Sequence, residues 1–403
     1  MKFEIPHDVF YAALKKGGVA TDSKDAKNPE TTRKQPILRC VKLTTDNAGL
    51  TIESSATGLA ARTFVPKTQV KIIIADSLCV EAPEMIEELS KLKFQHTIQV
   101  EFDHDQVKTD ASLAPRMWVR AINQKGREAF AWSYDVYPTR NFPKIAYSNE
   151  TPQFAVSAKQ IRKIVEAVSF TKRDDDQHVL DNVLIGPVDK ILHLATTDTK
   201  RGAIIRLTEG VKVNSNDDLH LVNWEILNTA LACFDESDPL EFVFEPDGEH
   251  LTLRGQNNIT SLRLALPPAA LIEKFGRLLG LRKTPVKFSV TVDDRTELLQ
   301  AMMVMEARGT TANYHFKGGG EEIMIDYSKR HRPAMVGCQK IDGGLSDPIL
   351  LSVKFFLDIL QKIESDGVII SVAEDERRVF LYDTVDPNYF YMMVKLTSQA
   401  PAV

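Results

Sequence analysis

The sequence predicts an α+β protein made of three similar domains, each holding two strand–helix–hairpin units. Three observations predict it. A short strand with Phe two residues before Ile or Val, followed by an amphipathic helix, occurs at Phe3-Glu4-Ile5, Phe154-Ala155-Val156 and Phe288-Ser289-Val290. A second strand-and-helix pair follows within each third of the chain. Hairpin-like alternation around polar turns follows most of these helices, which implies antiparallel sheet rather than the parallel sheet of alternating α/β proteins. Repetition of this kind outranks any single motif as a guide to architecture.

The first helix of each third is expected over Asp8–Lys16, Ser157–Phe170 and Asp293–Ala307. Ser157 and Gln160 have the spacing of a capping box, which satisfies free amides at a helix start. Behind them Ile161, Ile164, Val165 and Val168 recur at i, i+3, i+4 and i+7 as one apolar stripe. In the second set, Leu78-Cys79-Val80 leads into a helix from Pro83, with Met85, Ile86, Leu89 and Leu92 on one side. Leu219-His220-Leu221-Val222 leads into Asn223–Phe234. Ile349-Leu350-Leu351 leads into Ser352–Ile363, striped by Phe356, Ile359, Leu360 and Ile363. Pro at a first helical position and Ser or Asn at a cap are start signals.

Hairpins are expected over Cys40–Ile52 around Asp46-Asn47-Ala48-Gly49, Val183–Leu194 around Gly186-Pro187, Phe242–Leu253 around Asp247-Gly248, and Val368–Leu381 around Glu374-Asp375-Glu376. The polar stretch Lys16–Gln35 is expected to be a long, mobile loop. Asn141-Phe142-Pro143 with Ser148-Asn149-Glu150-Thr151 closes the first third, and Gly280–Pro285 separates the second from the last. The expected domains are therefore 1–149, 150–281 and 282–403.

At 403 residues, 43% hydrophobic and 26% charged, the composition is that of a globular protein and excludes a disordered, collagenous or low-complexity chain. Met1–Asp8 lacks the apolar core of a signal peptide. No segment approaches the ~18 apolar residues of a membrane span. A soluble, cytoplasmic protein is expected. Cys40, Cys79, Cys233 and Cys338 are too far apart for a paired zinc site, so free, buried thiols in a reducing compartment are expected. A net charge of −5 and a pI near 6.0 disfavour a generally basic, groove-reading DNA binder, although a local positive surface is compatible with both.

No catalytic constellation is visible. The sequence holds no phosphate loop of the GxxxxGK[ST] type, no HExxH and no GxSxG, and Lys317-Gly318-Gly319-Gly320 reads as a hairpin turn. Asp103-His104-Asp105 could be drawn as a metal site and Asp174-Asp175-Asp176 as a two-metal nuclease site. Adjacent carboxylates on a loop cannot all point at one ion, so both read as solvated turns or loops. Met302, Met303 and Met305 form a soft cluster that suits core or a subunit interface. No catalytic residue, metal or cofactor is expected.

Lys15, Lys16, Lys91, Lys93, Lys159, Arg162, Lys163, Arg295, Lys354 and Lys362 lie on or beside the predicted helices of these units. Each alone suits a solvated helix face. Their recurrence at one structural position points to a shared positive surface, which Asn223–Phe234 interrupts because it carries no Lys or Arg.

Over nearly its full length the chain resembles the bacterial replicative sliding clamp, the beta subunit of DNA polymerase III. The resemblance is carried by Met1-Lys2-Phe3 before a helix, Gln35-Pro36-Ile37-Leu38 opening a hairpin, and Asn141-Phe142-Pro143 ending the first domain. It is strongest at Val179-Leu180-Asp181-Asn182-Val183-Leu184 followed by Leu194-Ala195-Thr196-Thr197-Asp198-Thr199-Lys200-Arg201. It implies a DNA clamp fold and a head-to-tail homodimer closing a ring, with twelve helices inside and sheets outside. Duplex DNA would be held by topology, without sequence preference. A mildly positive lining is enough for that, because phosphate attraction is sequence-independent and screened by salt.

The resemblance also implies a hydrophobic pocket that takes short linear peptides from polymerase, clamp loader and repair proteins. The matching positions are Leu180, Thr197, Thr199, Lys200 and Arg201, then Pro267 or Pro268 and Leu271 or Ile272, with the closing Met392-Met393-Val394-Lys395-Leu396. Apolar residues would take the peptide's anchors, while Arg201 and Thr197 would orient its backbone. Arg33 would be the DNA-contacting residue of the long loop. Phe130 and Trp132 resemble the apolar pair of the ring interface, facing the helix around Met302–Met305; ordinary core is the other reading.

The chain departs from the family pattern in places. Thr199 and Lys200 replace Gly-His, Gly202 replaces an apolar residue, Asp174 stands where a neutral side chain is usual, and Thr397–Val403 runs past the usual terminus. These departures leave open a clamp paralogue that binds DNA or a regulator without serving replication. A metal-dependent hydrolase is the remaining alternative.

Overall fold

The computed structural model describes residues 1–22, 27–92, 96–102, 115–171, 182–215, 219–246, 248–264, 276–307, 309–326 and 332–396. Its helices include α1 (His7–Gly17), α2 (Pro29–Lys34), α3 (Ala82–Ser90), α4 (Ala158–Val168), α5 (Trp224–Leu231), α6 (Arg295–Glu306) and α7 (Val353–Leu360). All six predicted helices form, each starting within two residues of its expected first residue. The strands before them place Phe3 and Ile5, Phe154 and Val156, and Phe288 and Val290 in the interior. That is the period-2 burial expected when one face of a strand meets the core.

The helix starts follow from their caps. Ser157 Oγ accepts from the Gln160 amide at 3.2 Å and donates to Gln160 Oε1 at 2.9 Å. Asp294 Oδ1 accepts from the amides of Thr296 and Glu297, and Ser352 Oγ from that of Phe355. The ends come earlier than expected for α5 and α7. There the chain tightens into i→i+3 bonds, Phe234 to Leu231 and Ile363 to Leu360, so the last turns are no longer α-helical.

The chain divides into two compact units, Met1–Arg162 with Glu225–Leu266, and Lys163–Trp224 with Pro267–Val403. The first contains an antiparallel sheet in the order Phe154–Ser157, Pro239–Phe244, His250–Arg254, Asn258–Arg263, Leu59–Pro66, Gly49–Ala56, Cys40–Thr45, Asp76–Glu81, Glu128–Tyr137, Arg116–Ile122, Thr97–Glu101, Lys2–Pro6 and Lys71–Ile74. Phe10, Ala13 and Leu14 of α1 and Met85 and Leu89 of α3 join the strand residues Phe3, Val41, Ile52, Val80 and Val119 in one core. Phe3 meets Phe10 edge-on, with ring centroids 5.8 Å apart.

The second unit holds two antiparallel sheets. The larger runs His220–Asn223, Asn182–Val188, Ile191–Thr197, Arg201–Leu207, Tyr389–Val394, Arg378–Asp383, Val368–Ala373 and Val286–Val292. One of its faces gathers Leu184, Ala195, Ile204, Phe380, Phe390 and Met392 beneath Leu278, Leu279 and Leu281. The smaller sheet runs Ala334–Gly337, Glu322–Asp326, Thr311–His315 and Ile349–Ser352. Its Tyr314 stacks on Phe356 of α7 at 5.0 Å and donates a hydrogen bond to Met302 Sδ of α6.

Two local expectations are corrected. Gly186-Pro187 is not a turn: both residues lie inside the strand Asn182–Val188, and the reversal falls at Asp189-Lys190, with φ of 50° and 63°. Two positive φ values make the turn whose twist matches that of its strands. Pro187 is tolerated because it lies past Ile185↔His220, the end of the register with the neighbouring strand on that side. The stretch Lys16–Gln35 is not one irregular loop. It contains a 3-10 turn, Val19–Asp22, in which Val19, Ala20 and Thr21 are buried, and helix α2, capped by Asn28 Oδ1 on the Glu30 amide. Ala20 donates its amide to Ser54 Oγ, which donates to the Gly17 carbonyl, so Val19 and Ala20 are tied to the sheet that polar composition alone concealed.

Candidate functional site

The turn Thr197–Arg201 joins the strands Ile191–Thr197 and Arg201–Leu207. Asp198 builds it: Oδ1 accepts from the amides of Lys200 and Arg201, both at 2.9 Å. This side-chain substitute for a backbone turn is a habit of Asp and Asn. Thr197 Oγ1 accepts from the Thr199 amide at 3.0 Å and donates to the Arg201 carbonyl at 2.9 Å. Held this way, Thr199 takes φ of 75° and stands exposed beside the exposed Lys200.

Arg201 departs from expectation. Only 6% exposed, its Nε donates to Asp198 Oδ2 at 2.9 Å and its Nη1 to Asp358. Its guanidinium lies 4.3 Å from the Phe355 ring centroid and 5.4 Å from that of Phe170. A planar cation with two carboxylates and two ring faces is already satisfied. It therefore stiffens the turn rather than presenting an open fork to a peptide backbone. Phe170, Phe355 and Asp358 are not among the residues that the sequence singles out. Asp198 lies in the stretch Leu194–Arg201, and its i, i+3 spacing with Arg201 is the local signal.

Beside the turn runs the strand Tyr389–Val394, in the register Arg201↔Met393 and Gly202↔Met392, with the Val394 amide on the Lys200 carbonyl at 2.8 Å. Met392 and Met393 are buried, and Val394, Lys395 and Leu396 are half-buried. Gly202 is required by close approach: a Cβ there would sit 2.8 Å from the Thr196 carbonyl oxygen and 3.5 Å from Met392 Cε. The expected Leu180, Pro267, Pro268, Leu271 and Ile272 lie outside the described residues, as does Thr397–Val403.

The basic helix residues separate into three groups. Lys15, Lys159 and Lys354 are exposed, and Lys15 lies over the Tyr11 ring. Lys16, Lys91, Lys163 and Lys362 pair with Asp235, Glu87, Glu364 and Glu166. The hydrogen bond to Glu364 holds the Lys163 ammonium above its ordinary pKa. Arg162 and Arg295 correct the expectation of an outward-facing charge. Arg162 donates to the carbonyls of Leu231, the last residue of α5, and of Phe234 beyond it, and Arg295 to those of Leu360, the last residue of α7, and of Ser365 beyond it. Lys93 lies outside the described residues, and so does the side chain of Arg33, whose backbone is part of α2.

No protein-family model and no curated protein sequence matches the chain. Solved structures do. A DNA polymerase sliding clamp from Bacillus subtilis superposes with a TM-score of 0.78 at 17% identity, covering 99% of this chain and 100% of that one. The beta subunit of DNA polymerase from Streptococcus pyogenes gives 0.76 at 17%, covering 99% and 100%. A Pseudomonas aeruginosa sliding clamp bound to griselimycin gives 0.75 at 14%, covering 98% and 99%. The fold is that of a bacterial sliding clamp.

Within this clamp fold, the residues expected at a ring interface are placed unequally. Phe130 is 53% exposed and stacks on Trp132, with centroids 5.9 Å apart. Their strand, Glu128–Tyr137, pairs with Arg116–Ile122 on one side. On its other side the register covers only Val136 and Tyr137, leaving an open edge over residues 128–135 among the described residues. Met302 and Met305 are core, one of the two readings open for the cluster, because the inward stripe of α6 carries them. Met303, 60% exposed, and Val304, 47%, face outward, and Met335 is exposed on the edge strand Ala334–Gly337 against which α6 packs. Among the described residues no three His, Cys, Asp or Glu side chains gather as a metal site, and no helix is long and apolar enough to cross a membrane. Asp103-His104-Asp105 and Asp174-Asp175-Asp176 fall outside the described residues.

Proposed function

We propose that this chain is a processivity clamp. Two copies close head to tail around duplex DNA and tether the replicative polymerase and other partners, without catalysis of their own. The observation that carries this reading is the reciprocal superposition, end to end, on solved sliding clamps. Exposed Lys15, Lys159 and Lys354 supply a sequence-independent attraction for phosphate. Carboxylates on Lys16, Lys163 and Lys362 keep that attraction weak enough for sliding. The domains are 1–149, 150–281 and 282–403.

Ring closure in this reading sets Phe130, Trp132 and the open edge of their strand in one copy against Met303, Val304 and Met335 in the other. Partner peptides lie along Thr197, Thr199, Lys200 and Met392–Leu396, with Leu180 and the 267–272 segment completing the pocket. Arg201 acts by holding the turn. Negative-stain microscopy of the purified protein at micromolar concentration tests the assembly. A closed ring with six lobes and a hole as wide as a duplex is expected; solid particles or single crescents would overturn it.

A further inference from the structure

The first unit contains a second junction built like the one beside Lys200. Strand Leu59–Pro66 pairs antiparallel with Asn258–Arg263, as Arg201–Leu207 does with Tyr389–Val394. Each junction begins at a tight turn whose second central residue, Gly58 or Lys200, offers its carbonyl to the end of the added strand. The Arg263 amide donates to Gly58 at 2.9 Å, and the Val394 amide to Lys200 at 2.8 Å. Gly58 holds φ of 81°, and a Cβ there would meet Ile226 Cδ1 at 3.7 Å.

A cleft of about 540 Å³ opens there, walled by the turn, by the segment Pro143–Ser148 and by Glu245, His250 and Arg263. Its floor is apolar, with Ala56, Leu59 and Ala60. Its rim carries two cations and one carboxylate. Lys144 and Arg263 are both exposed, and among the described residues neither has a carboxylate partner; the carboxylate of Glu245 is their counterweight. The Tyr147 side chain forms part of the wall, with Arg62 stacked on its ring at 4.3 Å.

We propose that this cleft is a second dock, for a short, extended, acidic peptide segment of a partner protein. Its carboxylates meet Lys144 and Arg263, and small apolar side chains rest on Leu59 and Ala60. The site stands on its own geometry. The peptide reading of the Lys200 side enters only through the shared architecture.

The test is fluorescence anisotropy of the full-length protein with a labelled peptide of alternating Asp and Leu, and with the same peptide carrying Asn for Asp. Binding of the Asp peptide is expected, with the Asn peptide weaker. Arg263→Glu and Lys144→Glu should each weaken the Asp peptide by roughly fivefold or more, which is about 1 kcal/mol, without moving the melting temperature. No binding of the Asp peptide, equal binding of both peptides, or affinity unchanged by both charge reversals would overturn the proposal. So would loss of binding on Lys200→Glu alone, which places the peptide at the other junction. Ring formation by microscopy reads the clamp function separately.

Discussion

Arg295, the first residue of α6, closes the far end of α7: its Nη1 donates to the Leu360 carbonyl at 3.0 Å, and its Nε to that of Ser365 at 2.9 Å. The same device recurs in the other two thirds. His7 Nε2 meets the Leu89 carbonyl in the last turn of α3 at 2.8 Å, and Arg162 meets Leu231 at the end of α5. Helix C-termini carry unpaired carbonyls and partial negative charge, so a donor on the paired helix satisfies both needs. Arg295→Met should lower unfolding stability by about 1.5–3 kcal/mol, the range for charge-assisted hydrogen bonds. Urea denaturation checks this, and Arg295→Lys should restore only part, since an ammonium lacks the fork that spans two carbonyls.

Removing Arg201 strands Asp198 in the interior. Arg201→Met should cost about 3–5 kcal/mol, the range for breaking a buried ion pair by deleting one partner. The double variant Arg201→Met with Asp198→Asn should recover a large part of it, so a double-mutant cycle distinguishes an ion-pair staple from simple loss of packing. Additive losses would show that Arg201 acts through Phe170 and Phe355 instead.

His193 gives the fold a pH dependence. It lies opposite Arg206 in the strand register. Burial, then Arg206 and Arg282, hold its imidazole below the ordinary 6.5, against the Ile191 carbonyl that accepts from Nδ1. Because the folded pKa is depressed, the unfolded chain takes up the proton first as pH falls. Stability from this group is therefore full above pH 6.5 and declines below it. The urea midpoint should drop between about pH 7.5 and 5.5, and His193→Gln should flatten that part of the profile.

Thiol reactivity should separate the cysteines. Burial pushes Cys79 and Cys233 up to about 12 and Cys40 higher still, while Cys338 is raised but half-exposed. The thiolate is the reactive form. Iodoacetamide on the native protein should label Cys338 first and leave the other three until denaturant is added, read by mass spectrometry.

The repeat made the fold legible. Phe and Ile or Val two apart mark a strand with one buried face, and the stripe Ile161, Ile164, Val165, Val168 marks its helix. The turn at Asp189-Lys190 was hidden because Gly-Pro is the stronger turn signal by composition, whereas register and twist decide where a hairpin reverses. In the candidate site, Thr197 to Arg201 could be read locally. Asp358 could not, because nothing in a linear sequence says that α7 brings a carboxylate 157 residues away onto Arg201. Arg162 and Arg295 looked like solvated charges for the same reason: which carbonyls they reach depends on how two helices pack.

The open edge of Glu128–Tyr137 has a bearing on handling as well as on assembly. An uncovered strand edge with an aromatic ring at its side is a template for indiscriminate strand addition. If a second copy covers that edge, assembly also protects the protein against precipitation. The hazardous species is then the lone subunit, so dilution or an edge-disrupting change such as Phe130→Glu would trade pairing for solubility in opposite ways. Dilution exposes the edge intact. The charge exposes it already blunted.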